Sequence, residues 1–224
     1  MYYIGVDLAW TYKNETGFCV LDDNLNCIFC DADIYSDSEL IKMINLYEFK
    51  IVSVDAPLIV KNETGGRNCD SLLMKHAIHN RYLKLYATSR NYMLRTFKTI
   101  RGEELYRLLL KEGFVLGEDL TETYPTGIFL SLMPELFDNK YKLSSRLSLE
   151  VLLTHAREVL DVLVDLGVKN MPIELETIKT KKAYKHVEDQ IDALLCAVHC
   201  YYFDKRESIT FIGDDNGSIS LPVL

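Results

Sequence analysis

The stretch "KIVSVDAP" at positions 50–57 restricts the fold more tightly than any other part of the chain. It is apolar on both faces, so it suits the interior of a sheet that is covered on both sides. It ends at Asp55 and is stopped by Pro57, which cannot donate to a central ladder. "YYIGVDL" at 2–8 is a second β-rich run, and it too ends at an aspartate, Asp7. Between them lie "GFCVLDD" (17–23) and "NCIFCDA" (26–32), which read as short strands joined by an Asp22-Asp23-Asn24 turn. "DSELIKMINLYE" (37–48) follows, acidic at its start and apolar at helical spacing. The order strand, strand, strand, helix, strand predicts a meander and then a right-handed crossover. The fourth strand then lies parallel to the first. Asp7 and Asp55 stand side by side at the carboxyl ends, where open α/β sheets place their sites.

The pentapeptide KNETG occurs at 13–17 and again at 61–65, each time after a Val-Asp pair. Beyond it the copies diverge at once, into a strand ("GFCVLDDNL") and into a helix ("GRNCDSLLM"), so there is no duplicated unit. Both are expected to be loops beside one cleft, their identity a coincidence without chemistry. Asn14 and Asn62 begin glycosylation sequons. The absence of a signal-peptide core predicts a cytoplasmic chain, which never meets that machinery.

After residue 57 helical spacing dominates, at roughly 70–87, 101–112, 125–136, 145–166 and 181–204. "GEDLTETYP" supplies a fifth strand ending near Glu122, and "ITFIGDDNGSISLPV" a terminal hairpin turning at Asn216-Gly217. With no linker or low-complexity stretch, the chain reads as one α/β domain over 1–224 with a helical insertion at about 61–115. No apolar run approaches the ~18 residues of a membrane span. Of the six cysteines, Cys27 and Cys30 have CxxC spacing. On a strand, however, i and i+3 face opposite sides, which argues for reduced, partly buried thiols over zinc. His76 and His79 share a face of the expected 70–87 helix, with no further ligand placed near them.

A third acidic cluster lies in "HVEDQIDALLCAVHCYY", where Asp189 and Asp192 are three apart on one helical face. Acids beside apolar residues require something positive to neutralise them, unless both merely stabilise a helix start. Asp7, Asp55 and this pair together form an oxygen-ligand set suited to Mg²⁺ or Mn²⁺. Two such ions at ~3.5–4 Å separation hold a scissile phosphate in two-metal hydrolysis. Strand order and acid placement are those of the ribonuclease H-like fold, a mixed five-stranded sheet flanked by helices.

"IGVDLAW" (4–10), "VSVDAPL" (52–58), "GGRNCD" (65–70), "TETYP" (121–125), "DQIDALLCA" (189–197) and "NGSISLP" (216–222) run from end to end in a fixed order. In these motifs the chain resembles domain-of-unknown-function family 429, predicted ribonuclease H-like nucleases. The resemblance implies that Asp7, Asp55 and Asp192 are metal ligands, with Asp189 an alternate or second ligand. It places Glu122 at the site edge, as a further ligand or a base for water. Arg67 is implied to lie in a loop over the site, able to hold a phosphate bidentately. Their bland alternatives are an exposed glutamate before a Pro-capped helix and an ordinary turn arginine.

A net charge of −8 is unusual for a nucleic-acid enzyme, but its distribution is uneven. Residues 67–101 carry eight Lys or Arg against Asp70 alone, a segment of +7, with tyrosines and Phe97 interleaved. Arg81, Lys84 and Tyr86 are the candidates there for holding phosphates and stacking unpaired bases. The alternative is a solvated helix with its tyrosines packed inward. A second basic run, "KTKKAYKH" (179–186), leads into the acidic helix. The reading is thus a metal-dependent nuclease acting on RNA or DNA. An ATP-using phosphotransferase of actin-like type and a non-catalytic nucleic-acid-binding protein are the alternatives. Oligomeric state is not legible.

Overall fold

A computed structural model describes residues 1–138 and 140–223. The opening meander forms as β1 (Tyr2–Asp7), β2 (Thr16–Asp22) and β3 (Cys27–Asp33). Helix α1 (Asp37–Asn45) begins at a capping box, in which Ser36 and Glu39 satisfy each other's backbone N–H groups. Strand β4 (Phe49–Asp55) then returns parallel to β1, and β7 (Leu120–Glu122) pairs parallel to β4. The sheet order is β3-β2-β1-β4-β7, antiparallel on the meander side and parallel on the other. This is the mixed five-stranded α/β arrangement anticipated for a ribonuclease H-like chain.

Two apolar layers cover the sheet. On one face Val6, Phe18, Val52 and Val54 pack with Leu40 and Ile44 of α1 and with Leu105 and Leu109 of α4 (Arg101–Lys111). On the other, Tyr3, Cys19 and Ile51 meet α5 (Pro125–Leu132), α6 (Leu149–Asp165) and α7 (Lys181–Asp204). Strands β1 and β4 are thus covered on both sides, as their composition required. Glycines seat α7 against the sheet. A Cβ on Gly5 would come within 2.0 Å of the Ala193 carbonyl, and one on Gly17 within 2.1 Å of the Asp189 carbonyl. Only glycine lets backbone approach backbone so closely.

The expected helix over 70–87 is not one helix. Helix α2 (Asn68–Lys75) stops at His76, and β5 (Ala77–Ile78) and β6 (Arg81–Tyr82) make a two-residue hairpin. His79 and Asn80 occupy its turn with φ of 47° and 61°. Two successive residues in the left-handed region match a primed hairpin turn, made here without glycine. The proposed His76/His79 pairing on a helical face is therefore overturned. His76 packs edge-on against Phe211, and His79 Nε2 lies 3.1 Å from the Ser131 carbonyl. The insertion ends with α3 (Arg90–Phe97) and α4. The terminal hairpin forms as β8 (Ser208–Ile212) and β9 (Ser218–Pro222).

Strand β3 corrects a second expectation. Its pairing with β2 slips between Val20 and Leu21, so that Cys30 opposes Cys19 and Cys27 opposes Leu21. This irregularity breaks strict alternation, and Cys27 and Cys30 both enter the same core as Cys19. The second KNETG copy is loop throughout, whereas the first, expected to be loop as well, passes into β2 at Thr16. Thr16 is buried and its Oγ1 accepts from Ala9 N at 3.1 Å, whereas Thr64 is exposed. Among the described residues no helix is long and apolar enough to cross a membrane.

Candidate metal centre

Strands β1 and β4 end in register, Asp7 beside Asp55, and both residues are half-buried. Helix α7 crosses beneath them on Gly5 and Gly17, bringing Asp189 and Asp192 to the same point. Oxygens of Asp7, Asp189 and Asp192 all lie within 4.8 Å of one another. Asp189 is well inside a helix that starts at Lys181, so stabilisation of the helix N-terminus does not account for these acids.

The site is short of positive charge. Burial, then Asp192 and Asp55, push the Asp7 carboxyl well above its usual range. Burial, Asp192 and Glu122 raise Asp55 to about 7 against the pull of Lys142. Asp189 is raised to about 6, chiefly by burial, with Lys185 opposing. Two lysines supply the partial compensation. Lys142 Nζ donates to Asp192 Oδ2, while Tyr141 Oη donates to Asp192 Oδ1 at 2.6 Å. Lys185 Nζ bridges Asp189 Oδ1 at 2.5 Å and Glu188 Oε1 at 2.9 Å. Burial disfavours the charge of Lys142, yet Asp192, Asp7 and Glu188 outweigh it and hold the ammonium protonated. Five carboxylates against two ammonium groups suit a hard divalent cation, which favours oxygen ligands.

A cleft of about 1510 Å³ opens above the acids. Lys13, Lys84, Lys140, Lys182 and Lys185 line it, with Trp10, Tyr82, Tyr86 and Tyr124 among them. Lys84 and Tyr86 therefore sit where a substrate could meet them, and Tyr86 is 80% exposed. Arg81 does not line this cleft. Its guanidinium pairs bidentately with Asp138 at 2.8 and 2.9 Å, and stacks over Phe137.

Arg67 and Glu122 differ most from expectation. Arg67 is buried as the N-cap of α2 instead of riding a loop over the site. It pairs with Asp70 at 2.7 Å and with Glu122 at 2.5 Å. Glu122 also accepts from Leu58 N at 2.9 Å, so its carboxylate is occupied by protein donors. Every side-chain N–H of Arg67 is committed to a protein acceptor, and Glu122 accepts three hydrogen bonds, in the cleft wall that both residues line; together they tie β7 to the insertion. Arg101 is likewise buried, bonded to Asp37 Oδ1 at 3.0 Å and the Ala9 carbonyl at 3.1 Å. Arg90 is held by Glu103. The segment 67–101 is therefore not one continuous basic face, because several of its cations are internal struts.

Lys142 and Tyr141 had no signal of their own, since they sit in an aperiodic loop far along the chain from α7's acids. What the sequence did carry was the need for a cation beside Asp192. Lys185 belongs to the basic run that leads into the acidic helix.

The family model described as "Protein of unknown function (DUF429)" matches residues 5–216. No curated protein and no solved structure matches the chain.

Proposed function

We propose that this chain, which belongs to the DUF429 family, is a metal-dependent nuclease that hydrolyses phosphodiester bonds of RNA or DNA. The observation that supports it is the convergence of Asp7, Asp189 and Asp192 within 4.8 Å, with Asp55 in register, at the floor of a lysine-lined cleft. Asp7, Asp55 and Asp192, with Asp189 as a further ligand, would hold Mg²⁺ or Mn²⁺. Divalent cations at such a cluster supply charge stabilisation for a phosphodiester and lower the pKa of water.

The chain's own groups do the positioning. Lys142 and Tyr141 orient the Asp192 carboxylate, and Lys185 orients Asp189. The lysine rim concentrates phosphates, and the exposed Tyr86 ring offers a face to an unpaired base. Because Asp7, Asp55 and Asp189 hold protons more firmly than ordinary carboxyls, cation uptake displaces protons and tightens as pH rises.

Labelled single- and double-stranded RNA and DNA, incubated with Mn²⁺ or with chelator, test the proposal. Wild type is expected to cut at least one substrate only with metal. Asp7→Asn is expected to lower the rate by at least ~10²-fold with its fold intact. Asp192→Asn should weaken Mn²⁺ binding more than Asp189→Asn does. A folded, Mn²⁺-loaded wild type that cuts nothing, or an Asp7→Asn variant of full activity, overturns the reading.

A further inference from the structure

The slipped pairing of β3 creates a second cluster, made of sulfur. Cys19 of β2 and Cys27 and Cys30 of β3 place their Sγ atoms within 4.8 Å of one another, and Cys19 to Cys27 is 4.0 Å. All three thiols are buried and free of disulfides. From these placements we propose that Cys19, Cys27 and Cys30 form a three-thiolate site for a thiophilic divalent metal ion of the zinc class.

Geometry carries the assignment. Metal–sulfur bonds of about 2.3 Å set sulfur atoms about 3.8 Å apart in the tetrahedral geometry usual for zinc and about 4.0 Å apart in a trigonal one. The Cys19–Cys27 separation already has the trigonal value, and the third sulfur needs a shift of less than an ångström. Thiolates select zinc-like or copper(I)-like ions over Mg²⁺ and Mn²⁺, so this site and the carboxylates do not compete for one metal. A divalent ion leaves one residual negative charge on three thiolates, and a monovalent ion leaves two. Burial therefore favours the divalent ion.

Entry is through Cys27, the most exposed of the three, on the edge strand of the sheet. Cys30 at present donates to the Gln190 carbonyl of α7 at 3.4 Å, a weak contact it can exchange for a metal bond. On binding, each thiol that still holds a proton gives it to solvent as its sulfur bonds the ion. No electrons are transferred.

Cd²⁺ titration of the fully reduced protein reads the site, because cadmium–thiolate bonds absorb in the ultraviolet and carboxylate bonds do not. One equivalent per chain is expected to develop the band, and Zn²⁺ to compete it away. Cys27→Ser and Cys30→Ser should each lose at least ~10-fold in affinity, while Cys69→Ser should not. Should a serine variant fail to fold, alkylation mapping of wild type decides. Bound Cd²⁺ must then slow labelling of Cys19, Cys27 and Cys30 and of no other cysteine. The proposal is overturned by a folded, reduced protein with no band, or by a band that survives Cys27→Ser. Equal protection of Cys69, or loss of two hydrogens to a disulfide without metal uptake, also overturns it.

Discussion

Asp55 and His199 pull stability in opposite directions as pH changes. Asp55 is raised to about 7, so between about pH 4 and 7 the folded state binds more protons than the unfolded one. Stability of the metal-free protein therefore falls as pH rises through that window. His199 is sealed between Ser53 Oγ at 3.0 Å and Ser220 Oγ at 3.2 Å, and burial pushes it down to about 3. Between about pH 6.5 and 3 the unfolded chain gains the proton instead, and stability falls as pH drops. The metal-free protein is expected to melt highest in mildly acidic buffer, with saturating Mn²⁺ removing the loss toward neutral pH. Asp55→Asn should stabilise the metal-free protein at pH 7.5 by about 1–3 kcal/mol. It should also reduce the stabilisation by Mn²⁺, both read by scanning calorimetry at several pH values. An Asp55→Asn variant that melts lower would show that Lys142 already neutralises the site. Asp7 and Asp55 were legible because each closes a strand whose composition is unmistakable. The partners of Arg67 were not, since Glu122 lies 55 positions away on another strand.

At the scale of elements, the site depends on how closely α7 lies on β1. Replacing Gly5 by alanine puts a methyl group 2.0 Å from the Ala193 carbonyl and 2.2 Å from the Ala197 nitrogen. Backbone cannot yield like a flexible side chain, so the helix must lift or the chain unfold. Gly5→Ala is expected to cost at least ~3 kcal/mol and, in any folded fraction, to weaken Mn²⁺ binding by moving Asp189 and Asp192 off Asp7. Urea melts with and without Mn²⁺ check both; unchanged stability would remove the glycine contact as the seat of the helix. Strand and helix periodicity recovered β1, β4 and α7 because those elements are long or covered on both faces. It failed at 77–82, where Leu72, Leu73 and Leu83 keep a helix-like spacing through a hairpin whose turn has no glycine to announce it. At β3 it found the strand but not its facing, because the slipped register turns Cys27 into the same core as Cys30.

For the whole molecule, the formal charge of −8 says little about partners, since several cations and acids cancel inside the fold. What a polyanion meets is the cleft rim. If Lys84, Lys140 and Lys182 contact phosphates, binding of a single strand should weaken with salt. Each lysine replaced by alanine should flatten the logarithmic slope by about 0.7. Tyr86→Ala should lower affinity with the slope unchanged, because stacking releases no counterions. Fluorescence anisotropy between low and moderate salt measures both; a wild-type slope near zero would mean that the rim is only solvated. The seating of α7 also bears on how the protein is made. Asp189 follows Asp7 by 182 positions, so synthesis from the amino end makes the two halves of the acidic cluster at widely separated times. Until α7 is made, Gly5 of β1 and Gly17 of β2 have no helix backbone seated on them, and the acidic cluster is not assembled.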